Sequence, residues 1–240
     1  MSIFSIIKNK SNQKNKNIFV LIDPDKFFKS DYNKIVNISN KSDVSLFLIG
    51  GSIITTELFE KTILYIKENS KIPVCIFPGS VLQISKNADA MLFLSLISGR
   101  NPEFLIGNHV QVSPILKNYN IEIIPTGYIL VDGGNKTAVQ YMSNTSPVPS
   151  DKPEIAAATA LAGEYLGMDC IFMDAGSGAQ KPISANYISV VKSYISLPVI
   201  VGGGIKTQQQ VDDAIKGGAD AVVIGNAIEK NPELLLEICK

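Results

Sequence analysis

The chain has 240 residues, 45% of them apolar and 18% charged, with 22 Lys and Arg balanced by 22 Asp and Glu. That is enough apolar chain for one large core, and it excludes intrinsic disorder. Zero formal charge removes the basic excess that nucleic acid or an anionic membrane surface would require. No apolar run reaches the ~18 residues of a spanning helix, so no transmembrane segment is expected.

The N-terminal residues 1–17 are expected to form a helix or connector. The Lys- and Asn-rich stretch 8–17 reads as a solvated connector, and no small-residue cleavage site marks a signal peptide. Short β-branched apolar runs then follow at residues 18–22, 44–49, 74–77, 90–96, 121–125, 170–173, 198–201 and 221–224. Such runs suit parallel strands buried on both faces. Most end at once in Gly, Asp, Ser or Asn. Amphipathic stretches separate them: 57–68, with Leu58, Ile63, Leu64 and Ile66 near one stripe; the Ala-rich 154–167, closed by Gly167; and 208–216, closed by Gly217-Gly218. Residues 81–89 are too few for a full helix after the third run. Residues 132–152 break the rhythm with two glycines, two prolines and many small polar residues, and read as a long loop after the fifth strand, either a lid or a plain insertion. Strand, polar turn and helix, repeated about eight times, predict a single α/β domain over 1–240, a (β/α)8 TIM barrel modified around its third helix. An open doubly wound sheet is the rival.

Chemistry in a parallel barrel gathers where its strands end at their C-termini. Gly202-Gly203-Gly204 and Gly225-Asn226 close the seventh and eighth runs. Glycine lets main-chain N–H groups approach a ligand closely, and this is a recurring phosphate site of the fold. Phe172-Met173-Asp174-Ala175-Gly176-Ser177-Gly178 adds a third glycine turn beside a carboxylate. Asp174 could accept a hydrogen bond from a substrate hydroxyl or act as general base, or it could simply cap the following helix. On the other side, Asp23-Pro24-Asp25-Lys26 and Gly51-Ser52 offer a carboxylate and a hydroxyl at adjacent strand ends. That pair could hold a hard cation, or the Asp-Pro could be an ordinary turn opening. Cys75, Cys170 and Cys239 are scattered and His109 is the single histidine, so no zinc cluster is expected, and the thiols read as reduced ones in a cytoplasmic protein.

Taken together, Leu21-Ile22-Asp23-Pro24-Asp25-Lys26, Ile49-Gly50-Gly51-Ser52, Pro125-Thr126-Gly127-Tyr128, Asp174 to Gly178, Gly202 to Ile205 and Gly225-Asn226 resemble, in order and spacing, the geranylgeranylglyceryl phosphate synthases. The match is to the larger group of that family, with archaeal and Bacteroidetes-type members. The resemblance implies transfer of a geranylgeranyl group from its diphosphate to the 3-hydroxyl of sn-glycerol 1-phosphate. It implies Mg²⁺ on Asp23 and Ser52 as cofactor. Glycerol phosphate would bind at Phe172 to Gly178, Gly203-Gly204 and Gly225-Asn226, with Asp174 as catalytic residue. The partners implied are these small substrates, no nucleic acid, and further copies of the chain as a dimer or hexamer. The family commonly carries Tyr-Leu-Glu where this chain has Phe172-Met173-Asp174, and Trp where it has Phe104. A prenyl groove is expected among Phe77, Phe93, Leu96, Ile97, Phe104 and Tyr128. The competing readings are another phosphate-binding barrel enzyme (a sugar-phosphate isomerase, an aldolase using Lys26 or Lys206, a flavin enzyme) and an inactive phosphate- or lipid-binding barrel.

Overall fold

A computed structural model of the chain describes residues 2–9, 16–27, 32–55 and 57–239. Eight parallel strands close into a barrel in sequence order, β1 (Ile18–Ile22), β2 (Val44–Ile49), β3 (Val74–Ile76), β4 (Ala90–Ser95), β5 (Glu122–Leu130), β6 (Cys170–Asp174), β7 (Val199–Gly202) and β8 (Ala221–Ile224), with β8 pairing back onto β1. The open-sheet alternative is thereby excluded. The helices are α1 (Ile3–Lys8), α2 (Pro24–Phe27), α3 (Tyr32–Ser39), α4 (Leu58–Asn69), α5 (Asn108–Leu116), α6 (Ala138–Ser143), α7 (Pro153–Tyr165), α8 (Ala185–Tyr194), α9 (Gln208–Lys216), α10 (Asn226–Lys230) and α11 (Leu234–Ile238).

Most strand residues are apolar because successive residues face opposite sides, and both sides are largely dry. Phe19, Leu46, Leu48, Leu92, Ile124 and Ile200 fill the barrel interior. Their neighbours Val20, Phe47, Ile129, Ile171 and Val199 pack outward in a second cluster, which the surrounding helices cover. No helix forms between β3 and β4, as the shortness of residues 81–89 predicts.

Three local expectations are corrected. β5 runs on through Pro125-Thr126-Gly127-Tyr128 to Leu130, beyond the apolar run 121–125. Gly127 is required inside the strand because a β-carbon would meet Ile97 Cδ1 at 2.7 Å and Ile171 Cδ1 at 2.9 Å. On α4 the buried stripe is Phe59, Thr62, Ile63 and Ile66, while Leu64 is exposed. Lys8 and Asn9 are exposed, but Lys16 and Asn17 are not part of a solvated connector. Lys16 pairs with Asp212 at 3.1 Å, and the buried Asn17 donates to Ile6 O at 2.8 Å. The rest of that stretch, 10–15, lies outside the described residues.

The long segment 132–152 is anchored to the barrel. Val148 N donates to Leu130 O and Asp132 N to Val148 O, so the loop returns beside the end of β5. Thr137 caps α6 within it by accepting from Gln140 N.

At the opposite end of the barrel, α1 acts as a floor. Ile3 and Ile7 join the interior cluster. Glu122, first residue of β5, accepts from Ser2 Oγ at 2.6 Å, Ile3 N at 2.6 Å and Phe4 N at 3.0 Å. A carboxylate on the free amides of a helix start is stabilising. Burial pushes the Glu122 pKa up, but the hydrogen bonds from Ser2, Phe4 and Ile3 prevail and hold it below its ordinary value. Glu122→Gln is expected to destabilise the fold by about 1 kcal/mol, measured by urea unfolding at neutral pH. A depressed folded pKa contributes stability above the unfolded value and loses it as pH falls through the folded one. The gap between wild type and variant is therefore expected to close toward acid pH.

Candidate active site

A cavity of ≈ 340 Å³ opens at the C-terminal mouth of the barrel. Of the residues singled out from sequence, Asp23, Ser52, Phe172, Asp174, Gly176, Ser177, Gly178, Gly203, Gly204, Gly225 and Asn226 all line it. Met173 and Ala175 do not. The alternation of β6 sends Met173 outward, and both residues are buried in the cluster beneath the helices. The main chain of Ala175 is also engaged, donating to Gly202 O at 3.1 Å.

One wall is nearly bare backbone. Gly176, Gly178, Gly203 and Gly204 have φ of 88°, 78°, 85° and 73°, a region that favours glycine. At Gly203 a β-carbon would lie 2.5 Å from Asp174 Oδ1 and 2.7 Å from Ala175 N and Gly176 N. At Gly176 it would strike Thr137 of the long loop at 2.6 Å. Asn226 begins α10, and its Nδ2 donates to Ser177 Oγ at 3.1 Å, linking the turns after β8 and β6. An anion can be held in such a wall by main-chain N–H groups with no lysine.

Asp174 stands at the edge of this wall. Its Oδ1 accepts from Gly176 N at 2.7 Å and its Oδ2 from Tyr128 OH at 2.6 Å. Burial raises the Asp174 pKa, and the hydrogen bonds from Tyr128 and Gly176 only partly offset this. Burial beside that carboxylate also drives the Tyr128 phenol well above its ordinary value, so the phenol is the donor. Each carboxylate oxygen keeps a lone pair for another donor.

Across the mouth, Asp23 Oδ1 accepts from Asp25 N at 3.1 Å, and its Oδ2 pairs with Lys26 at 3.0 Å. Lys26 also reaches Glu229 at 3.5 Å and Asn226 Oδ1 at 3.3 Å. Burial would lower the Lys26 pKa, but Asp23 and Glu229 raise it above its ordinary value. A lysine held protonated is a poor Schiff-base nucleophile, which weighs against the aldolase reading. Asp25 is occupied otherwise, accepting from both the N–H and the hydroxyl of Thr55 at 2.7 Å.

The turn carrying Ser52 lies against Asp23, since a β-carbon on Gly51 would be 3.5 Å from Asp23 Oδ1. Sequence gives no sign of what fixes that turn. The buried Gln83 accepts from Gly51 N at 3.3 Å and Gly79 N at 3.0 Å, and donates to Gly51 O at 2.8 Å. No group of three or more His, Cys, Asp or Glu able to hold a metal occurs among the described residues. One carboxylate and one hydroxyl remain compatible with Mg²⁺, which keeps several waters and shares substrate phosphate oxygens.

The remaining wall is apolar. Phe77, Phe93, Leu96, Phe104 and Tyr128 line the cavity as expected, joined by Met91, Val112, Val139 and Met142. Ile97 instead packs outside the barrel, against Gly127 and Gly163. Because no helix follows β3, the cavity reaches the outward side chains Met91 and Phe93 of β4. There His109 meets Phe93 edge-on at 4.5 Å. Burial lowers the His109 pKa despite the carbonyls of Leu94 and Ile106, so the imidazole is neutral in this arm. Val139 and Met142 come from α6, so the long segment forms part of the wall.

The profile of the PcrB family matches residues 10–240. The chain belongs to this family. It is 45% identical over 234 residues to the geranylgeranylglyceryl phosphate synthase of Spirosoma linguale, covering 98% of this chain and 94% of that one. It is 42% identical over 219 residues to that of Thermococcus gammatolerans, covering 91% and 86%. Among solved structures, (S)-3-O-geranylgeranylglyceryl phosphate synthase of Thermoplasma acidophilum, in complex with substrate sn-glycerol-1-phosphate, superposes with a TM-score of 0.89 at 30% identity, covering 100% and 97%.

Gly203→Val is expected to abolish phosphate binding, because its side chain would occupy the space beside Asp174 and the turn after β6. Its strained φ should also cost about 1–3 kcal/mol of stability. Isothermal titration with sn-glycerol 1-phosphate, paired with urea unfolding, separates the two effects.

Proposed function

We propose that the chain transfers a geranylgeranyl group from geranylgeranyl diphosphate to the 3-hydroxyl of sn-glycerol 1-phosphate, releasing diphosphate. The observation that carries this reading is a single cavity joining a glycine wall, a carboxylate pocket and an apolar arm. The named activity of family members similar along the whole chain supports it, as does the glycerol phosphate complex of the Thermoplasma enzyme.

The glycine wall, with Ser177 and Asn226, holds the phosphate of the acceptor. Asp174 receives the proton of the 3-hydroxyl as that oxygen bonds to the allylic carbon, while the carbon–oxygen bond to diphosphate breaks. A carboxylate whose pKa burial raises is better matched to accepting a proton near neutrality than an exposed one. The arm along Phe93, Phe104 and Met91 shelters the prenyl chain from water. Asp23 and Ser52 would hold Mg²⁺. Bound there, the cation would neutralise charge developing on the departing diphosphate. Two substrates fixed on opposite sides of one mouth gain the advantage of alignment, so no covalent intermediate with the protein is needed.

Incubating the protein with radiolabelled glycerol phosphate and prenyl diphosphates of several lengths tests the assignment, and absence of any ether product would refute it. Asp23→Asn is expected to lower turnover at least about a hundredfold at saturating Mg²⁺, and unchanged activity would remove Asp23 from the metal site.

The chain is also read as a cytoplasmic homo-oligomer. The reduced thiols of Cys75, Cys170 and Cys239 suit a reducing compartment, and among the described residues no helix is long and apolar enough to cross a membrane. Ile155, Tyr165 and Leu166, at the two ends of α7, are 51%, 81% and 75% exposed, and apolar surface of this kind favours self-association. Light scattering behind gel filtration is expected to show a mass of at least twice that of the single chain.

A further inference from the structure

We infer that Tyr128 is a positioning residue for the proton-accepting step: its hydroxyl fixes the Asp174 carboxylate at the cavity wall and keeps it ionised. The inference rests on the reading of Asp174 as the base, and the experiment below is arranged so that the two can fail separately.

Register places the pair together. β5 and β6 run in parallel with Tyr128 opposite Phe172 and Leu130 opposite Asp174. Tyr128 therefore shares the inner face with Asp174 but lies two residues deeper, and its ring spans that offset to present its hydroxyl to Oδ2 at 2.6 Å. The ring has little freedom to do otherwise. It is 5% exposed, stacks on Phe172 at 5.7 Å and 26°, and leans on Phe77 at 6.1 Å. A buried phenol needs a partner, and Asp174 is the one it has.

The other carboxylate oxygen is held by Gly176 N, so two donors from different elements set the plane of the carboxylate. One comes from the turn that also builds the glycine wall, the other from the strand alongside. Removing Tyr128 would leave a desolvated carboxylate on one hydrogen bond, free to turn about its χ angles and to take up a proton before substrate arrives.

Among the described residues, no other titratable group is bonded to Asp174. From β7 the neighbours are Gly202 and Gly203, and from its own turn Gly176. Lys206 follows the glycine wall. Asp23, Lys26 and Glu229 line the same cavity from the elements flanking β1 and β8 and are engaged with one another. Replacing Tyr128 thus changes the hydrogen bonding of Asp174 without disturbing the charged groups across the mouth.

The test compares wild type, Tyr128→Phe and Asp174→Asn in pH profiles of kcat/KM, with Mg²⁺ and both substrates. Tyr128→Phe is expected to move the acid limb upward by about one pH unit, because a donor to the charged form has been lost. At neutral pH, kcat is expected to fall about tenfold while KM for the prenyl diphosphate is unchanged. A uniform loss at every pH, or a limb that does not move, would overturn the inference. Asp174→Asn is expected to lose activity at least about a hundredfold and to lose the acid limb. If it stays active, the base assignment fails, whatever Tyr128 does. Should Tyr128→Phe fold poorly, a fluorinated tyrosine placed at 128 keeps the shape but donates more strongly. The limb is then expected to move to lower pH, and a shift upward or none would count against the proposal.

Discussion

At Gly203 the main chain leaving β7 passes so close to β6 that a single added carbon would lie 2.5 Å from Asp174 Oδ1. That contact ties the two halves of the acceptor site together. It sets how near the wall can come to the carboxylate, and in the proposed reaction it would set how near a phosphate on the wall comes to the group that takes the hydroxyl proton of the same glycerol. The positive φ of 85° at Gly203 is therefore part of the spacing between the glycine wall and the carboxylate. A side chain there would separate them even if the barrel still closed.

The two sides of the mouth are not independent. Lys26 reaches Asp23, Glu229 and Asn226, which matches the three donors of an ammonium group. Asn226 in turn donates to Ser177 in the turn after β6. The chain of contacts runs from the Asp23 carboxylate on one side of the mouth to the glycine wall on the other. It gives the rim a fixed width before either substrate arrives. Preorganisation of this kind is what alignment of two substrates requires.

How much of this was legible in the sequence follows from where each signal is stored. Continuous apolar runs ending in Gly or Asp specify buried parallel strands locally, and all eight strands lie where those runs are. For β5 the apolar run covers only residues 121–125, whereas the strand continues through Pro125 and Gly127 to Leu130. The reason they are tolerated, close packing of Ile97 and Ile171 on the missing β-carbon, belongs to the assembled barrel. The glycine wall and the Asp23 turn were visible because backbone freedom and charge are properties of single residues. Met173 and Ala175 were drawn into the site by a contiguous motif, where strand alternation and the packing of the turn turn them away. Gln83, which holds the β2 and β3 turns by three hydrogen bonds, has no sequence signature at all. The Tyr128–Asp174 bond joins residues 46 apart and depends on a register that only the closed sheet defines.

The absent helix between β3 and β4 lets the cavity reach the outer face of the sheet. In a fully covered barrel the outward residues of β4 would be sealed by a helix, as Ile171 and Val199 are on other strands. Here Met91 and Phe93 face the cavity instead, and α5, entered through the π-helical turn Glu103–Gly107, closes the far side with His109 and Val112. Burial keeps His109 uncharged, so the arm carries no cationic charge from it. The geometry separates two environments along one channel: charged and polar groups at the rim where strands end, and an apolar lining outside the sheet where a helix is missing. In the proposed reaction the length of prenyl chain accepted should then depend on side chains of β4 and α5, such as Met91 and Val112, more than on anything at the rim, because the rim groups would meet only the first carbons and their diphosphate.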